Sequence, residues 1–286
     1  MIMRGYTLLL LFLSFWAGRP LFAQDDPGNG LLWEDEQYRE LPMMVYYPLS
    51  ERGGDIPDKR DLKPYCPTPQ DQGDIASCVG YALAHALTVV KAVKKNWKDK
   101  ATIDRHAHSA SFIYNQVKLD DRCKSGAYLS AGLRLLKQQG DCLLLDFGNT
   151  PNSCQPAPQP GHKKKASAYR IYEYERLFEP DDPTKTKLDQ IRIALANRQP
   201  AIVGMNVPAN LKTAPLGQLD WNPSSSNASH ALVVVGYDEG KREFELLNSY
   251  GTDWGDGGFF KLPYQVVASH VRYGYCLELG ADFGCD

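Results

Sequence analysis

The chain has 286 residues, of which 43% are hydrophobic, and its 32 basic residues against 34 acidic ones give a net charge of −2. This apolar content is enough for one large core or for two lobes that share a cleft. The basic residues form no long block, and the lysine run at 163–165 fits a solvated loop. The charge pattern therefore excludes an extended nucleic-acid surface.

Residues 1–23 have the pattern of a signal peptide. Arg4 supplies the positive start, residues 7–17 form an apolar run too short to span a bilayer comfortably, and Ala23 precedes an abruptly polar stretch. We expect cleavage after Ala23, and a retained N-terminal anchor is the alternative. No cysteine follows the run to carry a lipid. The sequence thus predicts an exported protein, periplasmic or secreted, without a membrane contact after cleavage.

Residues 24–60 are acidic and weakly periodic, which indicates an N-terminal arm or a short pro-segment ahead of a main domain at 61–286. Prolines between residues 60 and 73 favour extended chain there. The pattern changes at 77–93, where Ala, Leu and Val recur at helical spacing without proline. This predicts a largely buried helix that begins at or beside Cys78.

The next stretch predicts further helices and one long connection. Residues 147–168 are rich in Pro, Asn and Lys and lack an apolar period, so we expect a surface loop there. The predicted helices are 109–119, 128–139 with Gly140 as its stop, and 185–197 with Asp182 or Thr184 as its cap.

The C-terminal third changes to β-branched and alternating patterns. Residues 238–241 are typical of a turn that joins two strands into a hairpin, and His270 is expected after the last strand. Strands are predicted at 201–207, 231–237, 243–247 and 259–262. A helical half followed by a β half indicates an α+β protein of two lobes, with a site that draws residues from both.

The seven cysteines bear on both compartment and chemistry. In an exported protein most cysteines pair, and an odd count leaves one thiol over or paired to another molecule. A catalytic role would explain such a thiol. The spacings contain no C-x-x-C and no paired Cys/His cluster, so neither a metal nor another cofactor is expected.

Cys78 lies where a thiolate would be stabilised, because the start of a helix offers unpaired N–H groups and a partial positive charge. A small residue at this place is more often a packing residue, so this signal is weak when taken alone. Gly73 and Gly80 flank Cys78 and allow a close approach of backbone.

A thiolate also needs a base and the base needs an orienting group. Among six histidines, His230 directly precedes a predicted strand, and Asn248 ends the partner strand of the same hairpin. One turn can therefore place the two side chains together, and the amide can fix the tautomer of the imidazole. Gln72, six positions before Cys78, can supply a side-chain N–H to an oxyanion beside the Cys78 backbone N–H. Each of these residues taken alone can have a purely structural role. Their occurrence together, in this order along the chain, favours catalysis.

Several segments together resemble the papain-like cysteine peptidases. Gln72-Gly73 followed by Ser77-Cys78 ahead of an apolar helix resembles their nucleophile segment, and His230-Ala231 resembles their histidine strand. Residues 248–259 (NSYGTDWGDGGF) resemble their asparagine segment, usually N-S-W-G-x-x-W-G-x-x-G-[YF], and Ser125-Gly126 resembles their Gly-Gly turn. The similarity runs from about residue 62 to residue 279.

The resemblance implies the roles of a cysteine peptidase. Cys78 would attack a peptide carbonyl, His230 would hold the proton and deliver it to the leaving amine, and Asn248 would orient His230. Gln72 would help to bind the oxyanion.

It further implies a two-lobed fold with a helical N-terminal lobe, a β-rich C-terminal lobe and the active-site cleft between them. Trp254 would shield the contact between the histidine and the asparagine from water. Ser125 and Gly126 would offer backbone hydrogen bonds to an extended peptide or protein substrate, and we expect a monomer.

The chain also departs from the family pattern. Val79 stands where an aromatic residue is frequent, Ile75 where many members have a disulfide cysteine, and Tyr250 where the first tryptophan of the asparagine segment is usual. Cys123 resembles the usual partner of the missing cysteine, so it pairs elsewhere or stays free. The pairings left open are Cys123 with Cys154 or Cys142, and Cys276 with Cys285.

Two other functions remain open at this point. A catalytically weak binding or scaffold protein would keep the fold with little turnover. Acyl transfer to an amine is the second, although such enzymes usually orient their histidine with Asp and this chain has Asn248. The sequence does not discriminate endopeptidase from exopeptidase activity.

Overall fold

The computed structural model describes residues 30–44, 56–225 and 228–284. The predicted signal peptide at 1–23 lies outside these residues. In chain order the elements are β1 Leu31–Leu32, α1 Asp35–Arg39, β2 Lys59–Asp61, α2 Cys78–Lys95, α3 Lys100–Arg105, α4 Ala110–Val117, β3 Ala127–Tyr128, α5 Leu129–Gln138, α6 Pro160–Ala166, β4 Ile171–Arg176, α7 Thr184–Ala196, β5 Ala201–Val207, β6 Ala228–Asp238, β7 Glu243–Leu247, β8 Phe259–Pro263, α8 Tyr264–His270 and β9 Val271–Leu279.

The N-terminal half is helical, and its long central helix is α2. All but the last residues of α2 are buried, because α4 and α5 pack on one side of it and β6 and β9 on another. Ser109 caps α4 by accepting the Phe112 N–H, and Asp99 caps α3 by accepting the Thr102 N–H. The periodic apolar pattern therefore predicted α2, α4 and α5 to within about two residues, the usual uncertainty of helix ends.

The C-terminal half carries an antiparallel sheet of strand order β4-β9-β5-β6-β7-β8, with β2 added to β6. The register pairs Met205 with His230 and Val233 with Leu247. The predicted strands and hairpin are present. Since β6 begins at Ala228, His230 lies inside the strand and does not precede it.

Strand β9 contradicts the expectation that His270 follows the last strand. It runs from Val271 to Leu279 between β4 and β5, and its central residues 273–277 are all buried. A strand covered on both faces has no alternation of polar and apolar residues. The period-two signal is therefore missing from this stretch.

Two other local predictions were wrong. The expected loop at 147–168 contains α6, which has Pro160 at its first turn and a capping box between Gln159 and His162. These are local signals that need no apolar face. Helix α7 has Pro183 at its N-cap without a side-chain cap bond, while the Asp182 carboxylate accepts the Glu179 N–H.

A disulfide joins Cys123 to Cys154, one of the two pairings left open for Cys123. Cys142 instead donates its thiol to the His162 carbonyl, with Sγ and O 3.1 Å apart. The expected pairing of Cys276 with Cys285 involves a residue outside those that the structure describes. In the described ranges, no helix combines the length and the apolarity that crossing a bilayer requires.

The first described part of the N-terminal segment, residues 30–44, contacts both the helical and the β-rich half, and it is called the arm from here on. Strand β1 pairs in parallel with β3, and the Tyr38 side chain of α1 is fully buried, stacked on Tyr273 with its hydroxyl donating to the Phe178 carbonyl. Further along, the Arg176 N–H donates to the Pro42 carbonyl. This segment is thus packed onto the fold as a structural element.

Candidate active site

Helix α2 places Cys78 at its first residue, directly after the N-cap residue Ser77. The Cys78 side chain is buried. The first N–H groups of this 18-residue helix have no acceptor within the helix, and they carry its partial positive charge. Such a position stabilises a thiolate relative to a thiol.

The glycines beside Cys78 lie at close approaches of backbone, as predicted. Gly73 has φ +65°, and a Cβ there would come within 2.2 Å of the Pro151 carbonyl oxygen. A Cβ on Gly80 would come within 2.5 Å of the Ala110 carbonyl oxygen. A side chain at Gly73 would push the loop ahead of Cys78 away from Pro151, and a side chain at Gly80 would push α4 away from α2.

His230, in β6, and Asn248, the residue directly after β7, have hydrogen-bonded side chains. Nε2 of His230 lies 2.8 Å from Oδ1 of Asn248, and both residues are buried. The Ser249 N–H donates to the same Asn248 atom, which identifies it as the oxygen. Because an oxygen only accepts, Nε2 carries the hydrogen, and the neutral imidazole has its lone pair on Nδ1.

The aromatic ring stacked on His230 belongs to Tyr250. The ring centroids are 5.2 Å apart with an angle of 16° between the planes. Trp254 packs against Tyr250 in a T-shaped arrangement, and its Nε1 donates to the Leu211 carbonyl. The aromatic ring that covers the imidazole is therefore that of Tyr250, whereas we expected Trp254 to shield this contact.

Gln72 is fully buried and is tied to the asparagine segment. Its backbone N–H donates to the Ser249 carbonyl, and its Oε1 accepts from the Ser249 hydroxyl at 2.6 Å. Nε2 donates one hydrogen to the Ile75 carbonyl at 3.0 Å, and the amide carries a second. These bonds join the loop ahead of Cys78 to the residue that follows Asn248, so the two lobes meet here.

The family to which these parts belong is shown by comparison with known proteins. Residues 56–273 match the family model described as papain family cysteine protease. The chain belongs to this family. It is a cysteine-type peptidase, and its mixed helical and β-rich lobes form the papain-like fold.

Individual relatives cover most of the chain at low identity. An uncharacterised peptidase C1-like protein of Acanthamoeba polyphaga mimivirus is 25% identical over 222 residues, 73% of this chain and 70% of the relative. Cathepsin B-like CP2 of Giardia intestinalis is 24% identical over 73% of this chain and 69% of its own length. The crystal structure of xylellain, a cysteine protease from Xylella fastidiosa, superposes with a TM-score of 0.72 at 23% identity, over 91% of this chain and 99% of that one.

In this peptidase the backbone beside Gly126 is paired with the N-terminal arm. The Ala127 N–H donates to the Gly30 carbonyl at 2.8 Å, and a Cβ on Gly126 would meet that same oxygen at 2.3 Å. Ser125 donates its N–H to the Asp120 carboxylate at 2.7 Å. The arm thus occupies the edge at which we expected an extended substrate to pair.

The arm also contacts the opposite lobe beside the histidine. The Ser229 hydroxyl donates to the Leu31 carbonyl at 2.5 Å. The buried Leu31 side chain lies over Gly204, where a Cβ would come within 2.9 Å of Leu31, 3.4 Å of Tyr273 and 3.5 Å of Leu129. The arm therefore spans the cleft from the Gly126 edge to the residue before His230.

Three participants were missed by the sequence reasoning: Ser249, Tyr250 and Leu31. The segment Asn248-Ser249-Tyr250 was present as a motif, but the order of residues in a motif does not reveal which side chain touches which partner. Leu31 lies in a short weakly periodic stretch without any such signal. Among the residues that the structure describes, no three His, Cys, Asp or Glu side chains are grouped as metal ligands would be.

Proposed function

We propose that this peptidase hydrolyses peptide bonds with Cys78 as nucleophile, His230 as general base and acid, Asn248 as orienting residue and Gln72 as oxyanion donor. The observation that carries the proposal is the 2.8 Å bond between His230 Nε2 and Asn248 Oδ1, because it leaves Nδ1 as the nitrogen that exchanges a proton.

The reaction proceeds in two halves. Cys78 first transfers its thiol proton to Nδ1 of His230, and the thiolate then attacks the peptide carbonyl. The resulting oxyanion accepts hydrogen bonds from the Cys78 backbone N–H and from the second Nε2 hydrogen of Gln72. His230 gives its proton to the leaving amine, which departs and leaves an acyl-enzyme. A water molecule then loses a proton to His230 and attacks the thioester, which releases the acid and restores the thiolate.

We also propose that residues 61–286 are the peptidase domain. The arm at 30–44 inhibits this domain by occupying the part of the cleft that would bind the acyl portion of a substrate. The contacts of Gly30 and Leu31 described above support this role. Two charged contacts hold the arm further along: the buried Glu34 carboxylate accepts the Ser130 N–H at 2.8 Å, and Asp35 pairs with Arg272, whose Nε lies 2.8 Å from Oδ1. The arm would have to be displaced or cut before an extended substrate could pair with the Gly126 edge.

The proposed site of action is outside the cytoplasm, in the periplasm or the medium, on peptide or protein substrates. The support is the signal-peptide pattern at 1–23 and the Cys123–Cys154 disulfide, which persists in oxidising compartments. A monomer without a nucleic-acid partner stays a prediction.

Cleavage of a peptide library by the mature, reduced protein tests the catalytic assignment. We expect hydrolysis by the wild-type chain and its loss in Cys78→Ala, which removes the nucleophile and leaves the fold in place. Equal cleavage by the two proteins would contradict the assignment and point to a contaminating peptidase.

A further inference from the structure

Lys212 crosses the cleft on the side away from the arm. It lies in the segment after β5, and its ammonium group donates to the Gly73 carbonyl at 2.6 Å and to the Asp74 carboxylate at 3.1 Å. Gly73 and Asp74 belong to the loop between Gln72 and Cys78. A side chain of the β-rich lobe thus reaches the loop ahead of Cys78 in the helical lobe.

The bridge that Lys212 makes to Gly73 and Asp74 lies at a different end of this loop from the arm, and this position identifies the part of the substrate that Lys212 faces. The arm contacts the Ala76 end of the loop, where a Cβ on Gly30 would meet the Ala76 carbonyl oxygen at 2.0 Å. Lys212 contacts the other end, at Gly73. Since the acyl part of a substrate would follow the Gly126 edge, the leaving part has to pass the Lys212 side.

Further contacts fix the surroundings of the ammonium. Lys212 Nζ lies 5.8 Å from the centroid of the Tyr250 ring, which is stacked on His230. The neighbouring Leu211 carbonyl accepts the Trp254 N–H at 3.2 Å. The charge is thereby held beside the ring that covers His230, by a segment anchored on Trp254.

The partner of Lys212 is weakly held and can be replaced. The Asp74 side chain is 88% exposed, against 37% for Lys212. The hydrogen bond from Lys212 lowers the pKa of Asp74, so this carboxyl is charged at neutral pH. An exposed pair of this kind is worth little in water, so another carboxylate can compete for the ammonium.

We propose that Lys212 is a specificity residue that binds a carboxylate on the leaving part of the substrate. The carboxylate is either the C-terminal α-carboxylate of a short leaving peptide or the side chain of an Asp or Glu near the cleaved bond. This inference rests on the proposed function and adds to it a substrate class: peptides with a negative charge just beyond the scissile bond. Asp74 acts as the competitor of that charge.

The test measures kcat/KM for peptides that share one acyl part and carry two leaving residues. One peptide ends in a free carboxylate, one in an amide, and two amidated peptides carry Glu or Gln as the second leaving residue. In the full-length chain, and again in Leu31→Asp to weaken the arm, we expect the charged peptides to be cleaved about fivefold faster than their neutral counterparts. The free-carboxylate and Glu pairs show which source of charge is used.

Variants of the bridge give changes of opposite sign. Lys212→Met is expected to abolish the preference, Lys212→Arg to keep it, and Asp74→Asn to enlarge it because the competitor is gone. Lys185→Met, which removes an exposed lysine paired to Asp189 in α7, should leave it unchanged. A preference that persists in Lys212→Met, or an equal loss for charged and neutral peptides in that variant, would overturn the inference.

The outcomes separate this inference from the function on which it rests. Cleavage of all four peptides without a preference for charge overturns the specificity assignment alone. Absence of cleavage in the wild type and in Leu31→Asp overturns the proposed function, and the inference with it.

Discussion

Tyr250 shows what a single residue contributes at this site. Its ring lies flat on His230, beside the bond to Asn248, where water would otherwise compete for the imidazole N–H. In a site shielded from water that hydrogen bond is stronger, and the imidazole is held in one orientation. The ring replaces the tryptophan usual at this position, so the change from Trp to Tyr retains the shield.

Replacement of Tyr250 by Leu should lower kcat about fivefold with a smaller effect on KM, because a hydrogen bond opened to water loses of the order of 1 kcal/mol. The measurement is steady-state hydrolysis of one peptide. Tyr250→Phe is the matched control: it keeps the ring and should retain most of kcat. Equal losses in both variants would show that the hydroxyl, and not the shielding ring, is what matters.

His85, one of the histidines outside the catalytic set, predicts a dependence of stability on pH. It is buried in α2, and burial lowers its pKa to about 4. In the unfolded chain the pKa is about 6.5, so between these values the unfolded state binds the proton more tightly. The contribution of His85 to stability is therefore present above pH 6.5 and is lost as the pH falls towards 4.

The free energy of unfolding should fall by about 3 kcal/mol more in the wild type than in His85→Leu between pH 7 and pH 4. Urea titrations of both proteins at several pH values measure the difference. If the free energy of unfolding changed with pH by the same amount in both proteins, protonation of His85 would not destabilise the folded state, which would contradict the prediction.

At the scale of elements, the N-terminal arm gives a prediction about activity. Leu31→Asp places a charge in the apolar site over Gly204, and a buried leucine side chain contributes enough to make release about tenfold more favourable. We expect initial rates of peptide hydrolysis to rise by about that factor. Leu145→Asp, at a leucine that is 74% exposed outside the arm, is the control and should leave the rate unchanged. A rate that does not rise in Leu31→Asp would contradict an inhibitory arm.

The sequence could predict those helices and strands that carry a local apolar pattern. Helix α5 and strand β5 have apolar patterns set by a single buried face and by a short buried run, and both were located to within a few residues. Helix α6 and strand β9 lack such a face. The pairing of β1 with β3 depends on contacts between residues nearly a hundred positions apart, which no local pattern encodes.

At the scale of the whole molecule, the two lobes are joined around the proposed catalytic groups. Gln72 bonds to Ser249, and Lys212 bonds to Gly73, so each lobe holds a part of the site supplied by the other. The sequence motifs predicted Cys78, His230, Asn248 and Gln72 as the site residues, because motifs record chemistry. The sequence could not reveal the closure of the cleft, since that depends on how the lobes and the arm meet.

Two of the other described thiols, those of Cys66 and Cys142, are poor nucleophiles, which makes the central claim testable by labelling. Cys66 is buried in the core, and burial raises its pKa; burial beside Asp141 and Asp146 raises the pKa of Cys142 to about 12. Both are therefore protonated at neutral pH, and thiols react as thiolates. A cysteine at the start of a helix, such as Cys78, should react faster than either of them.

The most direct measurement is therefore treatment of the reduced protein with an irreversible epoxide inhibitor of papain-like peptidases, followed by peptide mass spectrometry. The account predicts one modification, at Cys78, that is absent from Cys78→Ala and forms faster in Leu31→Asp. An unmodified Cys78, or modification chiefly at Cys66 or Cys142, would contradict it.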